Sequence, residues 1–215
     1  MAIIKSMGIG KASGSIDNIT YSTVQGRTIG RSKASFVANP NTAAQQAQRG
    51  KMRDIVFVWR EAGLRLQKLW TKRAKYNSPY NAFVSKNIMN STTYSAMPDL
   101  GVYSLEEGFI LGEGQYSSEN LELTANGQQA GVRILENSAL FHTLKVGDVL
   151  GCVFLGDSGQ IVDVVENTLA AEDLDPEATF VAQAFNTLKD DITGHAVYWY
   201  SPSRKISTTC VCRFE

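Results

Sequence analysis

Histidine is nearly missing from this 215-residue chain, which has two, and cysteine is scarce, with three. That leaves little from which to build a metal centre: no CxxC pair occurs, and His142 and His195 lie far apart, so neither a zinc site nor any other metal or cofactor is expected. Three cysteines cannot all pair within one chain. Cys210 and Cys212, at i and i+2, fall on one face of a strand, a spacing that suits a disulfide poorly, so all three are expected to be reduced and to pack as small apolar residues. Long apolar runs are missing as well. No stretch approaches the ~20 residues that span a bilayer as a helix, and MAIIKSMGIGKASGS at the N-terminus is too short in apolar residues for a secretory signal. The expectation is a soluble protein without a signal peptide and without a membrane partner.

Motifs for chemistry are also absent. MGIGKASG (residues 7–14) brings Gly-Lys beside small residues, but a phosphate loop needs Gly five positions before that pair and Ser or Thr after it, whereas Lys5 and Ala12 stand there. It reads as a flexible entry into the first strand. Neither histidine sits in a context that marks a serine or cysteine nucleophile, so no catalytic residue is nominated. The paired acids Glu106-Glu107, Glu172-Asp173 and Asp190-Asp191 lack the D-x-D-x-D-G spacing of a calcium loop and read as solvated loop charge. The expectation is a protein that does no chemistry.

The net charge of zero conceals a strong asymmetry. Residues 1–103 carry fifteen Lys and Arg against four Asp and Glu, net +11, and residues 104–215 carry six against seventeen, net −11. Two oppositely charged halves can neutralise each other within a chain, or a basic half can meet the acidic half of another copy. The second arrangement is heterologous and generates rings when it closes.

Periodicity places the elements. ASGSIDNITYSTVQGRTIGRSKASF alternates as a strand from Ile16 to Thr23, turns at Gln25-Gly26 and returns as a second strand, a hairpin with weak core content that must lean on something else. Pro40 keeps Asn39 out of helical geometry, and Thr42 with Gln45 forms a T-x-x-Q capping box, so a helix starts at about Ala43. Met52, Ile55, Val56, Trp59, Ala62, Leu66, Leu69 and Trp70 continue an i, i+3, i+4, i+7 stripe, which predicts one helix to about Lys75, roughly 50 Å long at 1.5 Å per residue. Gly63 is a weak point in it. The other faces carry Arg49, Lys51, Arg53, Arg60, Arg65, Lys68, Lys72, Arg73 and Lys75. A second helix is expected over residues 80–90, after Ser78-Pro79. Pro98 and Gly101, in a segment without helical period, mark a domain boundary, dividing the chain into a basic hairpin-and-helix domain (1–100) and an acidic β domain (101–215). In the second domain seven or eight short runs, separated by Gly, Asn, Asp, Ser or Pro, predict an antiparallel β-sandwich of immunoglobulin-like character. The fold class is therefore α+β.

GKASGSIDNITYSTVQGRTIGRSK followed by NPNTAAQQAQRGKM resembles an uncharacterised domain family of Bacteroidetes and their phages. The likeness rests on a small G-x-x-G-S-x-x-N-x-x-Y strand pair over residues 11–21, on Arg31-Ser32, and on an N-P-x-T-x-A-Q-x-A-Q-R motif at Asn39, Pro40, Thr42, Ala44, Gln45, Ala47, Gln48 and Arg49. It covers the first third of the chain strongly, and YWYSPSRKISTTCVCRF looks like the family's closing hairpin. The resemblance implies no enzymatic activity and points to a virion structural protein of a phage, a tail, ring or connector-type component assembled in the host cytoplasm. Its partners would be other copies of itself, in a ring, and other virion proteins.

The Ala- and Gln-rich helix start then offers small residues for close approach and amides that bond a neighbouring chain without burying charge. Residues 43–49 are expected to pack on the N-terminal hairpin or on another subunit. The candidate interaction residues are Gln45, Gln48, Arg49, Arg53, Arg60, Arg65, Lys68, Lys72 and Arg73. Two alternatives use other surfaces: a carbohydrate- or protein-binding module presenting Tyr198, Trp199 or Tyr200, or a DNA-associated protein whose basic helix neutralises phosphates.

Overall fold

The structure, a computed structural model, describes residues 2–4, 13–36, 38–73, 77–119, 121–126, 129–135, 140–174, 180–185 and 192–214. The sequence features at Lys5 to Ala12, Lys75, Tyr76, residues 175–178 and Asp190-Asp191 lie outside these. Among the described residues the fold is mixed α/β, with antiparallel sheets and two α-helices. In chain order the elements are β1 (Ala2–Ile4), β2 (Gly14–Ile16), β3 (Ile19–Val24), β4 (Arg27–Ser32), α1 (Ala43–Val58) and α2 (Pro79–Asn87). There follow β5 (Tyr94–Met97), β6 (Val102–Leu105), β7 (Ile110–Gly112), β8 (Leu121–Asn126), β9 (Gln129–Leu135), β10 (Val149–Gly156) and β11 (Ile161–Thr168). The chain closes with β12 (Phe180–Phe185), β13 (Ile192–Ser201), β14 (Ile206–Ser207), β15 (Cys210–Val211) and β16 (Arg213–Phe214).

Contacts divide the chain into two compact units, Met1–Gln46 and Ala47–Glu215, and not near residue 100 as the composition predicted. The expected linker is itself structured: residues 94–105 form the β5–β6 hairpin, Gly101 turns it at φ 69°, and Tyr94 and Leu105 join the core. Helices and strands of the second unit therefore pack into a shared core.

The first unit is a four-stranded sheet in the order β1-β4-β3-β2. Its β3–β4 loop is the predicted Gln25-Gly26 turn, and both residues take positive φ (53° and 78°), as a type I′ hairpin turn requires. The predicted strand through Ile16 is interrupted: Asp17, at φ 50°, turns the chain with Asn18, so Ile16 and Ile19 become cross-strand partners. Alternation alone could not show this, because Asp-Asn fits both an alternating strand and a turn. Thr42 and Gln45 close the reciprocal capping box, with Gln45 N–H donating to Thr42 Oγ1 (3.3 Å) and Thr42 N–H to Gln45 Oε1 (3.2 Å).

In the second unit the predicted long helix is corrected. α-Helical geometry ends at Val58 and widens into a π turn over Trp59–Gly63, in which Leu64 N–H donates to Trp59 O across 3.0 Å. A 3-10 turn, Gln67–Leu69, follows before the chain leaves helical geometry. Gly63 marks the break for a steric reason: the Trp59 indole lies where a Cβ would sit, 2.3 Å from Trp59 Cε3. Wide turns of this kind admit an extra residue into a helix, and here the apolar stripe keeps burying its residues, Ile55 through Trp70, although the backbone has changed. Helix α2, expected over residues 80–90, runs from Pro79 to Asn87 and is capped by Ser78 Oγ accepting from Asn81 N–H at 3.1 Å. Asn87 at its end pins α2 to β7, donating to Ile110 O (2.9 Å) and accepting from Ile110 N–H (3.2 Å).

Strands β11-β10-β13-β14 form the central sheet, joined at β13 by β16. Because successive residues of a strand point to opposite faces, β10 and β13 feed two cores. Val153, Leu155, Ala196 and Tyr198 pack with Ile55, Trp59, Leu66, Trp70 and Phe83. Leu150, Cys152, Phe154, Val197 and Trp199 pack with Leu121, Val132 and Ile134 of the β12-β9-β8 sheet. Burial on both faces explains why VLGCVFLG is a continuous apolar run.

Candidate functional site

The residues of the predicted basic face do not lie along one helix. Because helical geometry ends early, Arg60 and Arg65 stand exposed on the π turn and the turn after it. Arg53 is partnered by Asp54 at 3.4 Å and Asp99 at 4.0 Å. Gln45, Gln48 and Arg49 are exposed on the first turns of α1, where Gln45 is used by the cap. Part of the opposed charge is neutralised within the chain, since Lys68 pairs with Glu166 and Lys86 with Glu113.

Three of the predicted cations do converge. Lys68, Trp70, Thr71 and Arg73 meet Tyr200 and Lys205 around a depression of about 390 Å³. Lys72 lies on the rim of a second one, of about 420 Å³, with Gln115, Tyr116, Glu119 and Arg213. A polar saddle links them: Thr71 Oγ1 donates to Gln115 Oε1 at 2.8 Å and lies 2.9 Å from Ser207 Oγ, while Ser207 N–H donates to the same Gln115 oxygen at 3.3 Å. Backbone bonds from Thr71 and Lys72 N–H to Glu113 O (3.1 and 3.0 Å) tie this segment to the strand region behind it. The result is a strip of five cations, Lys68, Lys72, Arg73, Lys205 and Arg213, drawn from both halves of the sequence.

Each cation is held differently. Arg73 donates from Nε to Trp70 O (2.9 Å) and from Nη1 to Asn77 O (2.8 Å), so its guanidinium plane is fixed by neutral carbonyls. Lys68 reaches Glu166 and lies 5.9 Å from the Tyr200 ring centroid. Glu166 also accepts from Tyr198 Oη, and burial, together with that carboxylate, pushes the Tyr198 hydroxyl well above its ordinary range, so it is a donor. Gly151 makes room for the Tyr198 ring, whose Cζ lies 2.4 Å from where a Cβ would stand. Lys205, at φ 53°, projects from the β13–β14 turn. That turn is braced underneath by Asp148, 1% exposed, which accepts from Ser201 Oγ (2.5 Å), Arg204 Nη2 (2.6 Å) and Lys145 N–H (3.0 Å). Arg204 in turn lies 5.3 Å from the Trp199 ring.

Lys205 and Arg213 were not among the sequence candidates. They lie in the acidic half, and only the return of the C-terminal strands beside residues 67–73 brings them to Lys72 and Arg73. The aromatic run was legible in part: Tyr198 and Trp199 are buried on opposite faces of β13, and Tyr200 alone reaches the depression. This removes Tyr198 and Trp199 from any exposed binding face. Cys152, Cys210 and Cys212 are buried and free, and burial raises their thiols, Cys152 and Cys212 to about 12. Among the described residues no group of His, Cys, Asp and Glu is arranged to hold a metal ion, and no helix is long and apolar enough to cross a membrane. Compared with known proteins, the chain matches no family model, no curated protein and no solved structure.

Proposed function

We propose that the protein is a structural component of a particle, a phage virion protein of the tail, ring or connector type, which assembles with copies of itself through its N-terminal sheet. The observation that carries this reading is the exposure of the unit's described apolar side chains. Every apolar side chain buried among the described residues belongs to the second unit, and in the first Ile16 is 73% exposed, Phe36 82%, Val24 52% and Ile19 44%. Among the side chains described there, only that of Thr28 is buried. A small sheet needs an apolar face covered to be stable, and at about 25 cal/mol per Å² each covered Ile or Phe contributes roughly 1.5–3 kcal/mol.

Another copy is the favoured cover because residues 1–46 carry five Lys and Arg against one Asp, opposite in sign to the acidic half. The exposed Ala- and Gln-rich turns at residues 43–49 add groups that bond without burying charge. Within this reading the two facing sheets of the second unit are an immunoglobulin-like sandwich that spaces the contacts.

Absolute mass by light scattering, at low and at high salt, tests the proposal. A discrete oligomer that dissociates as salt shortens the ~8 Å screening length, and that is lost when Ile16 and Phe36 are both changed to Ser, is expected. A monomer under both conditions refutes self-assembly.

A further inference from the structure

Beyond assembly, we propose that the strip formed by Lys68, Lys72, Arg73, Lys205 and Arg213 binds the phosphodiester backbone of a single-stranded nucleic acid. Its two depressions and the saddle between them supply donors in a row rather than at one point. Each depression has room for about a dozen waters at ~30 Å³ apiece, far more than one carboxylate or one phosphate occupies. An extended polyanion with charges at intervals fits this layout.

Pairing within the chain leaves most of the strip's charge available. Lys68 is neutralised by Glu166, but among the described residues Lys72, Arg73, Lys205 and Arg213 have no carboxylate partner, and Glu119 is the one described acid on the rim of either depression. Arg73 is already oriented by two carbonyls, and Lys205 stands on a turn braced by Asp148, so little side-chain and loop freedom is lost when a phosphate binds. Trp70, whose buried indole N–H has no acceptor, is among the lining residues. Tyr200 lines one depression and Tyr116 the other, giving each an aromatic surface against which a base can lie.

The test is fluorescence anisotropy of a labelled, mixed-sequence DNA strand of about 20 nucleotides, longer than one site, titrated with the full chain. Neutralising three phosphates at the single-strand slope predicts affinity falling about 20-fold between about 50 and 200 mM salt. Lys205→Glu with Arg213→Glu, both exposed positions, is expected to weaken binding at least ~10-fold at the lower salt and to flatten the slope. Arg60→Glu with Arg65→Glu, away from the strip, is expected to stay within about twofold. Light scattering on the same samples separates this from assembly, because the strip variant keeps its oligomer.

Three results overturn the inference: no binding by the wild type at about 50 mM salt, equal loss in both double variants, or loss of the oligomer in the strip variant without any DNA binding by the wild type. The last would make an acidic protein surface the occupant.

Discussion

Replacing Gly63 with Ala sets two effects of opposite sign against each other. In a regular helix the change stabilises by about 1 kcal/mol, because Ala has the better helix propensity. Here the new Cβ would stand 2.3, 3.0 and 3.1 Å from Cε3, Cζ3 and Cδ2 of Trp59. The indole cannot swing away freely, since it is packed against Phe83 at 5.0 Å and Tyr80 at 5.8 Å between ring centroids. Overpacking of this kind costs about 1–3 kcal/mol, so the clash wins and Gly63→Ala is expected to destabilise by about 1 kcal/mol net. Urea unfolding followed by tryptophan fluorescence is a suitable assay, because Trp59, Trp70 and Trp199 all report on the second unit. In a Trp59→Leu background the clash is gone and the same substitution should be neutral or stabilising. A stabilising Gly63→Ala in the wild-type chain would refute the steric account of the π turn.

Other consequences follow from buried polar groups. Arg204→Ala strands the carboxylate of Asp148 in the interior with Ser201 and the Lys145 N–H as its remaining partners. Because the Arg204 side chain is itself 26% exposed, the loss should fall below the usual 3–5 kcal/mol for a broken buried pair, at about 2–3 kcal/mol, and Asp148→Asn should recover part of it in a thermal melt. Asn87→Ala leaves Ile110 N–H and C=O without that side chain and should cost about 1–3 kcal/mol in the same assay. Cys152 and Cys212 have folded-state values of about 12 against an ordinary 9.0, so the folded state holds protons that the unfolded chain releases. Their contribution is complete below pH 9 and falls as pH rises from 9 towards 12; urea midpoints at pH 7, 9 and 10.5 should be level and then decline. At pH 8 a thiol reagent should label none of the three in the native chain within the time it labels them in urea.

Local chemistry was the legible part of this fold. The capping box at Thr42 and Gln45, the Ser78 cap and the Gln25-Gly26 turn each depend on residues within a few positions, and all stand where the sequence places them. Of the apolar stripe, Ile55, Trp59, Ala62, Leu66, Leu69 and Trp70 are core residues, while Met52 is exposed and Val56 half-buried. The stripe could not show where helical geometry ends, because a π turn and a 3-10 turn bury the same stripe, and the cause at Gly63 is a contact with Trp59 that spacing alone does not reveal. Composition misplaced the domain boundary for a related reason: charge changes sign near residue 103, while the packing of Trp59, Trp70 and Phe83 on Val153 and Tyr198 runs across that point. In the basic strip, Lys68, Lys72 and Arg73 were visible as a sequence cluster. Lys205 and Arg213 join it only through the return of the C-terminal strands, which no local pattern encodes.

The central claim is that the N-terminal sheet is completed by another chain. Amide hydrogen exchange across residues 19–32 tests it most directly, measured on the oligomer at low salt and on the chain dissociated at high salt. Without an apolar face covered, the β3–β4 amides should exchange close to the rate of an open chain in the dissociated state and become strongly protected on assembly. Equal protection in both states, at the level of the β10–β13 amides, would mean that the sheet is stable on its own, and would contradict the account.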